Sequence, residues 1–499
     1  MSDARVSESP ASTGSIETVD HSARNNRVIW LLLAAAFVVI LNETIMGVAI
    51  PHLKVDLGID SIAAQWLTTA FMLTMAVVIP ITGFMLQRFS TRSMFIAAMS
   101  LFSLGTLVAA LAPGFEVLLG ARVIQASGTA IMMPLLMTTI MTLVPPANRG
   151  RLMGRVSIVM SVAPAIGPTI SGLILNYLTW RWMFWIVLPI ALVMLVIGYR
   201  RVENVTEPRR VPIDVFSVIL SAFGFGGLVY GLSQIGGGHG GDAAAASANT
   251  TTMIVALSVG VVGLAAFIIR QLLLQRRDRA LLDLRTFRSG NFSVAMGVMT
   301  IVTIALFGTL IVLPIYMQEV IQLDPLQTGL LLLPGSLLMG LMGPIVGRLF
   351  DRHGPRVLLV PGSIIVSSAL WFLTTVTETT SPFVILAAHV TLSLGLSLMF
   401  TPLFTSALGS VEPRFYSHGS AIVSTIQQVA GAAGTALFIT IMASQTIVFA
   451  TAGAGADAAA AGGVRAAFTI GAVLSLLTIV GAFFVKKPAD MVAPVGAGH

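Results

Sequence analysis

Apolar runs of roughly 20 residues recur along this whole chain, and nothing else constrains its fold as strongly. About 20 helical residues cross the ~30 Å hydrocarbon core of a bilayer. Fourteen such spans are read, at about 29–51, 65–86, 94–112, 117–142, 154–176, 183–199, 213–235, 251–273, 292–316, 328–349, 357–376, 382–408, 419–442 and 466–484. The cut near Thr179-Trp180-Arg181-Trp182 requires a very tight turn. Over 499 residues, 56% are hydrophobic and only 10% charged, far too little charge to cover a soluble protein of this size. The expected class is an all-α polytopic membrane protein.

The charges test the count. With the N-terminus placed inside, only Lys54, Arg181 and Arg465 of the 28 Lys and Arg fall outside, and only Arg122 lies well within a span. The outer loops instead carry acids such as Asp56, Glu116, Glu319, Asp324 and Asp457. Dropping any one span would invert every later loop and destroy this bias. The net charge of +7 is therefore topological anchoring toward cytoplasm and anionic lipid, not a nucleic-acid surface. There is no cysteine, which excludes disulfides and thiolate chemistry. Polar residues 1–28 read as a cytoplasmic tail rather than a signal peptide, and 485–499 as a second cytoplasmic tail. The Gly- and Ala-rich outer loops 236–250 and 450–463 are expected to be mobile connectors. Segment 276–291 is read either as a short surface helix or as a plain loop.

A short pattern occurs twice. Gly83-Phe-Met-Leu-Gln87-Arg88-Phe-Ser90-Thr-Arg92 follows span two, and Gly347-Arg-Leu-Phe-Asp351-Arg352-His-Gly354-Pro-Arg356 follows span ten. Duplicated six-helix halves would place the copies six spans apart, and here they are eight apart. Two spans are thus inserted between the halves. The expected organisation is a six-helix bundle over 29–199, two added spans and a linker over 200–291, and a second six-helix bundle over 292–484. Arg88, Arg92, Arg352 and Arg356 can hold neighbouring helix ends, lipid or Asp351. These contacts either switch between transport states or serve as static anchors. Gln87 in place of Asp351 predicts a weaker latch in the first half.

Glu43 is the most informative single residue. It sits deep in span one within Leu41-Asn42-Glu43-Thr44. An ionised carboxylate is costly there, which suits reversible protonation or substrate binding, with a structural hydrogen-bonding role as the alternative. Arg122 lies at similar depth in span four and is expected to pair with Glu43 directly or through water, or else to fix helix packing. Gln125 shares its helix face. Span five concentrates Pro164, Gly167, Pro168 and Gly172, a candidate gating element, because proline bends a helix and small residues admit a neighbour. Phe71, Met72, Tyr316, Gln318, Gln427 and Gln428 are candidate walls of a substrate cavity. His389 and His418 support no metal site by their spacing.

Together these residues resemble the major facilitator superfamily, and within it the fourteen-helix drug:proton antiporter family. The repeated loop is similar to the superfamily signature Gly-x-x-x-Asp-Arg-x-Gly-Arg-Arg/Lys. Arg122-Val-Ile-Gln125-Ala126 resembles the fourth-helix Arg-x-x-Gln-Gly element. Ala163 through Gly172 resembles the antiporter signature Gly-x-x-x-Gly-Pro-x-x-Gly-Gly, with Gly167, Pro168 and Gly172 matching. In span one, Asn42 stands where the commoner pattern has aspartate and the acid moves to Glu43, which resembles the lincomycin-resistance exporter branch. The resemblance implies a bacterial plasma-membrane antiporter exporting hydrophobic drugs or antibiotics, with the proton as coupling ion and no other cofactor. Glu43, Arg122 and Asn42 are then the proton-coupling group. A monomer is expected.

Other classes fit less well. Uptake or export of a specific metabolite by the same fold stays open. A receptor or scaffold lacks any loop large enough for a docking domain. ATP-driven transport lacks a Walker A sequence, and no clustered catalytic set suggests an enzyme.

Overall fold

The computed structural model describes residues 22–59, 61–204, 212–235 and 243–488, and among these there is no strand. Fourteen helices carry the chain: α1 Ser22–Asp56, α2 Ser61–Arg88, α3 Thr91–Ala110, α4 Phe115–Leu143, α5 Arg149–Tyr177, α6 Arg181–Arg201, α7 Val215–Ile235, α8 Ala243–Leu274, α9 Gly290–Ile315, α10 Pro325–His353, α11 Arg356–Leu373, α12 Pro382–Gly409, α13 Tyr416–Thr451 and α14 Ala456–Phe484. Every one is long and apolar enough to cross a bilayer. The fourteen expected spans are the fourteen observed helices, and α5 passes to α6 through residues 178–180 alone, as the tight turn requires.

Because the count is even, α1 begins and α14 ends on one face, here called proximal; the opposite face is distal. Helices α1 to α6 pack on one another, and α9 to α14 do the same. α7 pairs with α8 and touches α2 and α13. At the foot of this pair Arg270 donates two hydrogen bonds to Asp214, at 2.6 and 2.7 Å. The guanidinium holds the Asp214 carboxyl below its ordinary range. Fully buried Gln271 accepts from the Leu281 and Leu282 amides and donates to Ser217 Oγ, tying the following linker to the helix pair.

Several expectations need correction. The stretch 450–463 is not a mobile connector: α13 runs to Thr451, α14 starts at Ala456, and only residues 452–455 join them. Its alanines are strong helix formers, and Gly462 and Gly463 let α14 pack closely against Phe449 and Thr446 of α13. The loop 236–250 is also partly helical, since α8 begins at Ala243; residues 236–242 lie outside the described residues, as do most of both tails. Segment 276–291 holds two short 3-10 turns, Gln275–Arg277 and Leu284–Arg288, rather than a surface α-helix. Arg88, Asp351 and Arg352 are not loop residues but occupy the last turns of α2 and α10. α10 stops at Gly354, whose φ of 78° favours glycine.

Among the described residues one of the two most extensive helix contacts joins the two groups, α5 against α10. Glycines face each other along it. A Cβ on Gly154 would meet Gly343 O at 2.2 Å, and one on Gly347 would meet Gly150 O at 2.1 Å. Small residues are how membrane helices bring backbones together. Farther along, a Cβ on Gly172 of α5 or Gly329 of α10 would meet nothing within 4 Å. The close glycine contacts between the two helices thus lie in their proximal halves.

A bulky side chain in this seam must force it apart. The chain has no native cysteine, so a single Thr401→Cys, fully buried beside the seam, can report on it. With Gly343→Leu added, maleimide labelling of that cysteine should rise severalfold. Unchanged labelling in a folded protein would show that α5 and α10 do not hold the proximal face shut.

Candidate functional site

α1 presents Asn42 and Glu43 to different surroundings because one residue turns a helix by about 100°. Asn42 is buried against α4; Glu43 is only partly buried. Thr44 satisfies its hydroxyl within α1 by donating to Leu41 O at 2.9 Å. Arg122, almost fully buried, is held from several sides. It donates to Gln125 Oε1 at 2.5 Å and, at 3.5 Å, to Asn42 Oδ1 and to Leu67 O of α2. Its guanidinium lies 4.1 Å from the Phe71 ring centroid. Gln125 donates onward to Thr106 Oγ1 of α3 at 2.8 Å, and Thr106 to Phe102 O at 2.7 Å. A continuous polar chain thus runs from α1 through α4 to α3. Such satisfaction is what allows a buried charge to persist.

The expected Glu43–Arg122 pairing is therefore realised differently. Asn42 takes the contact, and among the described residues no hydrogen bond or ion pair engages Glu43. Arg122 still acts on Glu43 electrostatically, through space. Gly167 of α5 packs against the next residue of α1: a Cβ there would meet Thr44 Oγ1 at 2.3 Å. Pro164 is half-buried in the same helix, Gly172 faces open space, and the side chain of Pro168 lies outside the described residues.

The proposed cavity residues are not gathered in one place. Phe71 is fully buried under Arg122 and is part of the polar core's floor, not an exposed wall. Gln125 is likewise fully buried in the chain described above. Tyr316 is buried at the distal end of α9, where its hydroxyl donates to Thr377 O at 2.6 Å. Gln318 is exposed in the π-helical turn after it. Met72 of α2 is 42% exposed, and half-buried Gln428 of α13 donates to its carbonyl at 3.4 Å. Half-buried Gln427 neighbours Gln428 in the same helix. Of the set, only Met72 and Gln428 are hydrogen-bonded across the two groups.

The proximal latch is more definite. Asp351 at the end of α10 accepts from the Gly150 and Arg151 amides, at 2.8 and 2.9 Å, capping the first turn of α5. A carboxylate at a helix N-terminus also meets the favourable end of the dipole. Gln87 makes only a single exposed hydrogen bond across the groups, from Nε2 to Arg414 O at 3.2 Å. The inequality expected from Gln87 and Asp351 is present in the contacts. The arginines stand elsewhere. Arg92 donates to Tyr199 O at 2.7 Å and stacks on the Tyr199 ring, Arg88 lies 5.9 Å from the Phe89 ring centroid, Arg356 donates to Val485 O at 3.4 Å, and Arg352 is exposed.

Sequence reading missed three further cross-group bonds. Ser157 meets Thr401 at 2.7 Å, Thr138 meets Ser420 at 2.6 Å, and Arg149 donates to the Tyr416 hydroxyl at 3.0 Å. Serine and threonine are common in membrane helices, so nothing local marks those that bridge halves. These bonds joining α1–α6 to α9–α14 lie proximally, whereas the Gln428–Met72 bond lies near mid-membrane.

Residues 32–435 match the Major Facilitator Superfamily. The chain belongs to this superfamily. Two relatives from Bacillus subtilis support the membership. The uncharacterized MFS-type transporter YcnB is 42% identical over 462 residues, 92% of this chain and 95% of the relative. The lincomycin resistance protein LmrB is 40% identical over 481 residues, 95% of this chain and 98% of the relative. Among solved structures, the proton:xylose symporter XylE has a TM-score of 0.64 at 14% identity, covering 94% of this chain and 98% of that one. That likeness concerns the fold. As a facilitator-superfamily member the chain is a membrane transporter, not an enzyme.

Gly167 provides a local test. Gly167→Ala must displace Thr44 beside Glu43, and overpacking of this kind costs about 1–3 kcal/mol. The melting temperature in detergent should fall, and restoring space with Thr44→Ala should recover most of the loss. Equal melting of Gly167→Ala and wild type would remove the contact from the account.

Proposed function

We propose that this chain is an antiporter that exports hydrophobic or amphipathic drugs from the cytoplasm in exchange for protons. The observation that carries the reading is Glu43, a carboxylate in α1 with no hydrogen-bond or ion-pair partner among the described residues, one position from the Asn42–Arg122 contact. Similarity over nearly the whole chain to a lincomycin resistance protein supports a drug as cargo. The proximal face is taken as cytoplasmic, since it gathers most of the Lys and Arg. α1–α6 and α9–α14 then move as two bundles, with α7 and α8 as an added pair.

In this arrangement the cytoplasmic side is shut by the α5–α10 seam and the Asp351 cap. A proton entering from outside neutralises Glu43, and its electrostatic tie to Arg122 disappears. Asn42 and Gln125 keep the guanidinium satisfied, so the loss falls on the position of α1 against α4 and, through the Thr44–Gly167 contact, against α5. Inward opening breaks the Asp351 bonds, exposes Glu43 to the cytoplasm and releases the proton. Drug then binds and is carried outward. One carboxylate serving proton and drug in turn makes their fluxes compete, which couples them.

Glu43→Gln should abolish drug-driven proton movement in proteoliposomes while leaving the protein folded. Energised efflux from cells should fall to the level seen with an uncoupler. Coupled exchange at the wild-type rate in Glu43→Gln would refute the assignment.

A further inference from the structure

A cavity of about 580 Å³ opens at the proximal ends of α1 and α6, away from Glu43. It is lined by Asn26, Arg27, Trp30, Leu31, Val196, Ile197, Arg200 and Arg201. Two levels are distinct. Arg27, in the second turn of α1, and Arg200 and Arg201, in the last turn of α6, form a rim. Trp30, Leu31, Val196 and Ile197 lie one turn deeper, roughly 6 Å at 1.5 Å per residue. The deeper level is apolar and accessible: Trp30 is 53% exposed and Val196 52%. Neither Arg200 nor Arg201 has a hydrogen bond or ion pair among the described residues.

An exposed tryptophan at a helix end is ordinarily a simple interface anchor. Two features go further here. Trp30 stands in a concave site, and Arg155 of α5 lies 5.0 Å from its ring centroid. Arg155 is itself close enough to Arg151 and Arg348 to be repelled by both. The region thus concentrates positive charge above an apolar floor, with its polarity running along the membrane normal. A cationic drug is repelled by that rim, and a small soluble anion leaves the floor exposed. We propose that this cavity is a binding site for one anionic phospholipid of the proximal leaflet, its phosphate on Arg27, Arg200 and Arg201 and an acyl chain against Trp30, Leu31, Val196 and Ile197.

Native mass spectrometry of the detergent-purified protein, titrated with phosphatidylglycerol or phosphatidylcholine, tests this. Wild type should hold one phosphatidylglycerol more tightly than any phosphatidylcholine. The double change Arg200→Gln with Arg201→Gln should weaken that binding about tenfold or more, as expected for two arginines at a charged membrane surface. Val196→Asn, which leaves the rim intact, should weaken it too. The pair Arg276→Gln with Arg277→Gln, at the proximal end of α8, should not. An equal loss in the Arg276/Arg277 pair, or equal retention of phosphatidylcholine, would overturn the site. Displacement of the lipid by glycerophosphoglycerol would show instead a soluble-anion site and also overturn the proposal.

Discussion

The closeness of α5 to α10 is the constraint on which the rest of the molecule depends. Lipid tails are as apolar as leucine, so no hydrophobic effect drives two membrane helices together. What remains is packing and hydrogen bonding, and the Gly150–Gly347 and Gly154–Gly343 pairs permit both at backbone distance. The approach places the α5 amides within reach of Asp351, which no longer-ranged contact would do. It also sets the register in which Ser157 meets Thr401 on α12. Remove the glycines and each of these bonds loses its geometry together. The glycine pairs of the seam lie in the proximal halves of the two helices, and among the described residues no glycine pair joins their distal halves.

Arg122 poses the opposite problem. A charge buried in a bundle must find partners or be expelled, and losing one partner is costly because the charge remains. Here the partners are neutral: Gln125, Asn42, the Leu67 carbonyl and the Phe71 face. None of them changes charge. The guanidinium can therefore stay satisfied whatever the protonation of Glu43, and Glu43 is not locked in a permanent ion pair. With the acid at position 43 and not 42, the residue that binds the arginine is the neutral Asn42, and the carboxylate stands beside that contact rather than in it.

The fourteen-helix fold was almost fully legible because span length and charge bias are set by the bilayer. The Asp351 latch was legible in kind, since a charged residue beside a membrane helix end must satisfy something. Its actual partner, the N-terminus of α5, was not, because that depends on how the two groups dock. The same limit explains Phe71 and Tyr316. An aromatic in a span has the same local sequence whether it faces a cavity or lies under an arginine. The helical stretch 456–463 was misread for another reason: a Gly- and Ala-rich run offers few bulky anchors, yet alanine favours helix and small residues let membrane helices approach closely.

α5 touches both the surroundings of Glu43 and the seam with α10. Its Gly167 touches Thr44 next to Glu43, and its Gly154 touches Gly343 in the seam. Thirteen residues separate them, about 20 Å of helix. Pro164 lies between, removing one backbone hydrogen bond and weakening the helix against bending at that level. A change in how α1 sits against Gly167 can thus be taken up as a bend in α5 instead of a translation of the entire bundle. The load then reaches Gly154 and the amides that hold Asp351. A helix with crowded glycines at positions 154 and 167 and a proline between them is suited to carrying a small displacement from a partly buried acid to a distant seam.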